Sequence, residues 1–198
     1  MVMKYSVCVL LAVLLCGVAF AQDHSAHNQP KPATLMSGLG DLHHPVSTSN
    51  AEAQQFFDQG LRLIYAFNHD EAALSFRRAA ELDPQNAVTA WRNFGIVLFN
   101  SGQFKECLEP LQKAVDLDPK NAQAWYLLGN CKVGAMEYKK EGDKMVPIVL
   151  PGTIEAYEKA IEFDPNGPWG RQSKEGLEQL KGMVPGIQTS VGMRKKKS

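Results

Sequence analysis

Apolar residues in the middle of the chain recur every three to four positions, which is the period of an amphipathic α-helix. Three segments share one pattern: a small residue, a large apolar residue four positions later, and an alanine three positions after that. The three sets are Ala72, Phe76 and Ala79; Cys107, Leu111 and Ala114; and Thr153, Tyr157 and Ala160. Residues with this spacing lie on one face of a helix, so each set predicts a buried helical stripe.

The segments around these stripes begin and end alike, which indicates an internal repeat. Each stripe ends in Leu-Asp-Pro or Phe-Asp-Pro, with the prolines at 84, 119 and 165, so the spacings are 35 and 46 residues. Proline cannot continue a helix, so each of these helices should end there. An aromatic residue and a glycine four positions later precede each stripe: Phe56 and Gly60, Trp91 and Gly95, Trp125 and Gly129. We expect this glycine, which has no Cβ, to let a second helix approach closely.

Capping residues and turn residues set the limits of the predicted helices. Ser49 with Glu52, and Asn68 with Glu71, have the spacing of capping boxes. Pro110 lies inside the fourth helix, where it should remove one backbone hydrogen bond and bend the helix slightly. The predicted helices cover about 50–66, 69–82, 87–100, 103–117, 122–140, 153–163 and 169–182.

The aromatic, glycine, alanine, aromatic, alanine and proline pattern resembles the tetratricopeptide repeat family over about 51–167. The stretches 43–48 and 67–72 also resemble a group of exported bacterial proteins of this family. The resemblance implies an all-α fold, an α-α superhelix of three helix pairs plus a C-terminal capping helix. It places a domain at 49–182, with repeats at about 53–86, 88–121 and 122–167 and the cap, which carries Trp169, Leu177 and Leu180 on one side, at 169–182.

The third repeat contains an insert near 140–152. It holds two prolines, which exclude a helix, so we expect an extended loop. Its large apolar residues are Met145, Val146, Ile148, Val149 and Leu150. Either they pack over the neighbouring helices, which we favour, or they form a contact surface.

Stacked helix pairs curve into a groove that is lined by the first helix of each pair. Some family members grip a peptide's terminal carboxylate there with lysines and asparagines, most of which are missing in this chain. Helical phase places these residues in the groove: Phe57, Leu61, Ile64, Tyr65, Arg92, Ile96, Phe99, Tyr126 and Asn130. Such an apolar, aromatic groove favours a peptide with apolar anchors. The alternatives are that residues 35–47 or the 145–150 loop fill the groove, or that the chain associates with itself.

We therefore expect a non-catalytic scaffold of the cell envelope that binds a peptide or protein partner and needs no cofactor. No Gly-x-Ser-x-Gly, Cys-x-x-Cys or phosphate-cradling glycine loop occurs, so an enzyme is not expected. One alternative is a metal-binding accessory protein that uses the N-terminal histidine segments, and another is an assembly subunit of an envelope complex. A homodimer that extends the helical stack is also plausible at this number of repeats.

The first 21 residues differ from the rest of the chain. Lys4 precedes an apolar run from Val7 to Phe20, and Ala19-Phe20-Ala21 supplies the small residues of a signal peptidase site. This is typical of a signal peptide cleaved after Ala21, so we expect a periplasmic or extracellular protein. The run is short for a membrane span, and no stable membrane insertion is expected after cleavage. Residues 22–48 are predicted to be a flexible linker, of which 35–46 can dock on the domain, and 183–198 a disordered basic tail.

Charge, cysteines and histidines add three further expectations. Lys plus Arg and Asp plus Glu number 21 each, which argues against a nucleic-acid partner. Cys107 and Cys131 remain after cleavage at core-like positions, which favours two buried free thiols over a single bridge. A metal site needs three or four ligands, and none is expected. The weak candidates are His43, His44 and His69, because His24 and His27 should be solvated.

Overall fold

The computed structural model describes residues 31–189, and this part of the chain is helical except for one β-hairpin. A short 3-10 turn, Pro84–Asn86, follows the second helix. The elements are α1 Ala51–Tyr65, α2 His69–Leu82, α3 Val88–Asn100, α4 Leu108–Leu117, α5 Ala122–Gly134, β1 Glu137–Glu141, β2 Lys144–Ile148, α6 Thr153–Phe163 and α7 Pro168–Met183. The predicted all-α superhelix of three helix pairs and a capping helix is confirmed.

The helices pack in the order in which they follow one another. Unit one (α1 and α2), unit two (α3 and α4) and unit three (α5 and α6) are each a packed pair, and each pair packs on the next. The capping helix α7 contacts both α5 and α6. One continuous core, which includes Phe56, Phe76, Leu111 and Leu128, runs through the three units. Among residues 31–189, no helix is both long enough and apolar enough to span a bilayer.

Glycines on the first helix of each pair allow the second helix to approach, as the sequence predicts. A Cβ added at Gly60 would lie 2.8 Å from the Phe76 ring, and one at Gly95 would lie 2.5 Å from Leu111. At Gly129, the same atom would lie 2.9 Å from the Tyr157 ring. The contact partner is thus the large apolar residue of each stripe, because its side chain reaches across to the bare backbone.

The starts of α1 and α4 differ from the prediction, whereas the start of α2 agrees with it. Asn50, not Ser49, caps α1, because its side chain accepts hydrogen bonds from the N–H groups of Glu52 and Ala53 at 3.0 and 3.1 Å. The second predicted cap is present, since the Asn68 side chain accepts from the Glu71 N–H at 3.4 Å.

Helix α4 begins at Leu108 instead of 103, because turns occupy the residues before it. Pro110 therefore lies in the first turn of α4, where a backbone N–H has no partner within the helix. The predicted loss of a hydrogen bond at Pro110 is wrong for this reason. Proline is tolerated in the first turn, and no bend needs to follow from it.

The insert of unit three is a β-hairpin and not an irregular loop. Helix α5 ends at Gly134 instead of 140, and β1 then pairs with β2 in antiparallel register, with Tyr138 opposite Pro147. Gly142 makes the tight turn with a φ of 62°. Val146, Val149 and Leu150 are half-buried, whereas Met145 and Ile148 are exposed. The first three residues are thus partly covered, whereas Met145 and Ile148 leave the contact-surface alternative as a prediction.

Cys107 and Cys131 form a disulfide, so the expectation of two free thiols is wrong. Cys107 precedes α4 and Cys131 lies in α5, and both side chains are fully buried. Their Cα atoms are 6.2 Å apart, which is within the range of protein disulfides. The bridge joins unit two to unit three. The sequence places each cysteine on a buried face but contains no measure of the distance between two helices.

Four predictions fall wholly or partly outside residues 31–189. These are the signal peptide, the solvated pair His24 and His27, the first part of the linker 22–48, and most of the basic tail.

Candidate functional site

The groove residues predicted on α1 do not form one open surface. Phe57 is only 1% exposed and packs edge to face on Phe76, with ring centroids 5.4 Å apart. The His44 ring lies 6.1 Å from Phe57 on another side. Phe57 is therefore a core residue, and its assignment to the groove is wrong. Leu61 and Ile64 are half-buried against the same core, while Tyr65 is exposed.

The leader segment, residues 31–48, lies against α1 through polar side chains that are themselves buried. Asp58 accepts a hydrogen bond from the His44 N–H at 2.9 Å and lies 2.7 Å from His43 Nδ1. Gln59 accepts from the Met36 N–H at 2.7 Å and donates to the Thr34 carbonyl at 2.9 Å. Asp58 and Gln59 are only 5% and 2% exposed. The hydrogen bonds to the leader segment thus explain why two polar residues, 58 and 59, are buried in the middle of α1.

Further contacts extend this docking along the helix. Arg62 donates to the Leu42 carbonyl through Nε and a terminal nitrogen, at 2.9 and 2.6 Å. Gln54 accepts from the Val46 N–H at 3.0 Å. Residues 31–48 are therefore bound to the domain. A flexible linker was predicted there, of which only residues 35–46 were expected to dock. In unit one, the chain itself covers α1.

The remaining predicted groove residues, on α3 and α5, are half-buried. They are Arg92, Ile96, Phe99, Tyr126 and Asn130. Phe99 packs edge to face on Phe104, with centroids 5.6 Å apart. The Tyr157 hydroxyl donates to the Asn130 side-chain oxygen at 2.7 Å, which fixes the orientation of that amide. This strip combines aromatic and aliphatic surface with a few oriented polar groups, as is usual in ligand sites.

Trp169 extends this surface and was not among the predicted groove residues. Its ring lies 5.7 Å from that of Tyr126, which in turn lies 6.4 Å from that of Tyr157. Trp169 lies in the first turn of α7, on the apolar side that the sequence assigned to capping. Burial raises the pKa of Tyr157, with a smaller contribution from Tyr126, so its hydroxyl remains a neutral donor.

Arg92 is the charged residue of the strip. Its Nε is buried and has no hydrogen-bond partner among the residues described. Burial lowers the pKa of the Arg92 guanidinium, and the charge of Asp118 opposes this shift. A buried donor without a partner is unfavourable, so this half-buried guanidinium favours an incoming anion. We call Arg92, Ile96, Phe99, Tyr126, Asn130 and Trp169 the groove strip.

The metal-site candidates do not converge in the structure. His43 contacts Asp58, the His44 ring packs near Phe57, and His69 is the first residue of α2. Within residues 31–189, no three His, Cys, Asp or Glu side chains are grouped so that they could hold a metal ion.

Comparisons with known proteins agree with this architecture. A family model described as TPR repeat matches residues 95–132. The chain is 25% identical over 122 residues to the small glutamine-rich tetratricopeptide repeat-containing protein 2 of Mycosarcoma maydis, covering 62% of this chain and 31% of that protein. It is 28% identical over 130 residues to the heat-shock protein cognate co-chaperone sgt12 of Aspergillus fumigatus, covering 66% and 34%. The chain thus spans about a third of the length of these two curated relatives.

Solved structures show the same fold. The first TPR of Spaghetti (RPAP3), bound to an HSP90 peptide, superposes with a TM-score of 0.53 at 18% identity, covering 65% of this chain and 93% of that one. The Sgt2 TPR domain from Aspergillus fumigatus gives a TM-score of 0.54 at 21% identity, covering 76% and 99%. The second TPR domain of human RPAP3, in complex with an HSP70 peptide, gives 0.54 at 16% identity, covering 66% and 95%.

Proposed function

Because the chain is a tetratricopeptide-repeat protein, we propose that it is a non-catalytic scaffold that binds a peptide segment of a partner protein along the groove strip of α3, α5 and α7. Such proteins commonly serve as interaction scaffolds, and two structures of the same fold hold peptides. The finer parts of the proposal, which are the place of binding and the chemistry of the ligand, rest on the residues of this chain.

The observation that carries the proposal is the buried, unpartnered Nε of Arg92 inside an aromatic strip. A ligand carboxylate would give this guanidinium a charge-assisted hydrogen bond in a partly desolvated place, where such bonds are strong. Tyr126 and Trp169, whose ring centroids lie 5.7 Å apart, offer aromatic surface for an apolar side chain of the same ligand. We therefore infer a ligand that has at least one carboxylate and one or more apolar anchors.

Peptides of this chemistry occur in the related folds. The peptides named with the two RPAP3 domains are SRMEEVD and SGPTIEEVD, and both contain acidic and apolar residues. These two peptides are ligands of the RPAP3 domains. The partner proposed here is defined by its chemistry and not by these sequences.

A display selection of random peptides on the immobilised chain, without residues 1–21, tests the proposal without assuming a ligand. We expect enrichment of peptides that combine acidic and apolar residues. Arg92→Gln should remove the preference for acidic residues, and Tyr126→Ala should reduce the preference for apolar ones. Arg77→Gln is the matched control, because Arg77 forms an exposed ion pair with Glu81 on α2. The proposal is wrong if no peptides are enriched, or if Arg92→Gln and Arg77→Gln give the same set.

We also propose that the chain is exported and acts in the cell envelope. The apolar run from Val7 to Phe20, followed by Ala19-Phe20-Ala21, supports this proposal. The Cys107–Cys131 disulfide supports it as well, because structural disulfides persist mainly in oxidising compartments. Fractionation of bacteria that express the full chain, with N-terminal sequencing of the product, tests both points. Recovery of the chain in the cytoplasm with Met1 intact would contradict export.

A further inference from the structure

The turn between α1 and α2 contains a residue of unusual conformation. Phe67 is the only residue other than glycine with a positive φ in the described chain, at 56°. Its N–H donates to the Ile64 carbonyl, and the next N–H donates to the Leu63 carbonyl. In unit two, Gly102 occupies the equivalent turn with a φ of 73° and the same two hydrogen bonds. Unit one thus has a large aromatic residue where the backbone favours glycine.

The strain at Phe67 is not offset by burial, because its side chain is 84% exposed. Neighbouring Tyr65 is 74% exposed. Non-glycine residues in this conformation persist mainly where the side chain has a use. The placement of Phe67 therefore points to a contact outside the described fold.

Further exposed apolar residues lie on the same edge of the stack. In successive helix pairs, the connections from first to second helix come at one edge, and in unit three that connection is the β-hairpin. Tyr138, Met145 and Ile148 of the hairpin are 54%, 62% and 44% exposed. Lys105, after the turn of unit two, pairs with Glu137 at 2.8 Å and ties that turn to the base of the hairpin. We call Tyr65, Phe67, Tyr138, Met145 and Ile148 the connection edge.

We propose that the connection edge is an interface between two copies of this chain. A two-fold axis through unit two would place the two copies with their connection edges in opposite directions. Tyr65 and Phe67 of each copy would then meet the hairpin of the other. The middle of the edge is the short polar turn that contains Gly102. The edge is thus apolar at both ends and polar between them, which is a self-complementary arrangement about a two-fold axis.

Charge and area support this occupant. In the hairpin, Glu137 pairs with Lys105 and Glu141 pairs with Lys139, so the other charged residues of the hairpin are Lys140, Asp143 and Lys144. Two of these three are cations, which can pair with Asp70 in the first turn of α2 of the other copy. The three aromatic side chains, of about 150–250 Å² each and each more than half exposed, supply roughly half of the ~800 Å² that each partner of a stable interface buries.

Sedimentation velocity over a concentration series of the chain without residues 1–21 tests the proposal. We expect a reversible monomer–dimer equilibrium. Phe67→Gly should weaken the dimer by about tenfold or more, and in dilute monomer it should raise the melting temperature by about 2–4 °C because it relieves the backbone strain. Loss of the dimer can then not be attributed to misfolding. Met145→Glu should weaken the dimer from the other end of the edge.

Leu117→Ala is the matched control, because Leu117 is an exposed apolar residue at the opposite edge, where α4 ends. It should leave the dimer unchanged, and so should Arg92→Gln, which separates this proposal from the peptide groove. A chain that is monomeric at all concentrations overturns the proposal, as does a dimer that Phe67→Gly and Met145→Glu leave intact. Binding of a monomer to phosphatidylcholine and phosphatidylglycerol vesicles through Phe67 would also overturn it and assign the edge to a lipid surface.

Discussion

The two ends of the helical stack are closed in different ways. At the N-terminal end, an extended segment without secondary structure covers α1, and buried polar side chains such as Asp58 and Gln59 hold it. At the C-terminal end, the amphipathic helix α7 packs Leu177 and Leu180 into the core, and Trp169 against Tyr126. A terminal repeat must cover an apolar face that an internal repeat leaves to its neighbour. The chain therefore covers the N-terminal end of the stack by hydrogen bonding and the C-terminal end by apolar packing.

The largest loss of stability is expected at the C-terminal end, which apolar packing holds closed. Leu180→Ala removes a fully buried side chain and leaves a cavity under α7, so it should lower the free energy of unfolding by about 2–5 kcal/mol. Urea denaturation followed by circular dichroism measures this. Met183→Ala, on the same helix but 43% exposed, should cost far less. Equal losses from the two variants would show that α7 does not close the stack through its buried face.

The second-largest loss of stability is expected at the disulfide that joins unit two to unit three. Reduction of Cys107–Cys131, or its replacement by two alanines, opens a loop of 24 residues and should cost about 3 kcal/mol. Denaturation with and without a reductant gives the value. The same reductant should leave the double-alanine variant unaffected, and an equal response of both proteins would mean that the reductant acts elsewhere.

At the N-terminal end, which hydrogen bonds hold closed, the loss of stability should be smaller and confined to that end. Asp58→Ala leaves the His44 N–H without its acceptor and removes one of the two acceptors of the Gln54 amide, at a cost of about 1–3 kcal/mol. Hydrogen exchange should become faster at Met36 and His44 before it does so in α3. Asp41→Ala, at an exposed position of the same segment, is the control and should change little. Unchanged exchange in the Asp58 variant would mean that the leader is held by other contacts.

The smallest effect concerns a polar contact at the apolar end. Tyr157→Phe removes the hydrogen bond to Asn130 and keeps the ring between Gly129 and Gly176, so it should cost about 0.5–1.5 kcal/mol. Tyr138→Phe, on the exposed hairpin, is the matched control. A loss as large as that of Leu180→Ala would show that the C-terminal end also depends on hydrogen bonding.

Local patterns in the sequence predict the helix pairs well. The limits of α2 and α6 and the close approach at Gly60, Gly95 and Gly129 follow from spacing within one or two helices. The disulfide and the hairpin depend on contacts between segments that are separate in the sequence, so no local pattern predicts them. The apolar residues of 35–46 indicate that this segment can dock, but not that buried polar residues of α1 hold it.

The predicted site was correct only in part for the same reason. Helical phase places Phe57 on the side of α1 that it occupies, but the residues that cover it lie in another segment. Asp58 and Gln59 are buried although they are polar, and no pattern within α1 indicates this, because their partners are mainly in the leader. Trp169 was assigned to the cap and not to the groove, since its contact with Tyr126 joins two helices that are distant in the sequence.

The position of the disulfide also affects the order in which the molecule opens. An array of repeats can unfold one unit at a time from either end, because each unit contacts only its neighbours. Cys107–Cys131 ties unit two to unit three, so the α5 side cannot separate from the start of α4 even when its other contacts are lost. Unit one lies outside the bridge, and so do α6 and α7. Partial unfolding should therefore begin at the two ends of the stack, and the contact between α4 and α5 should be the last to come apart.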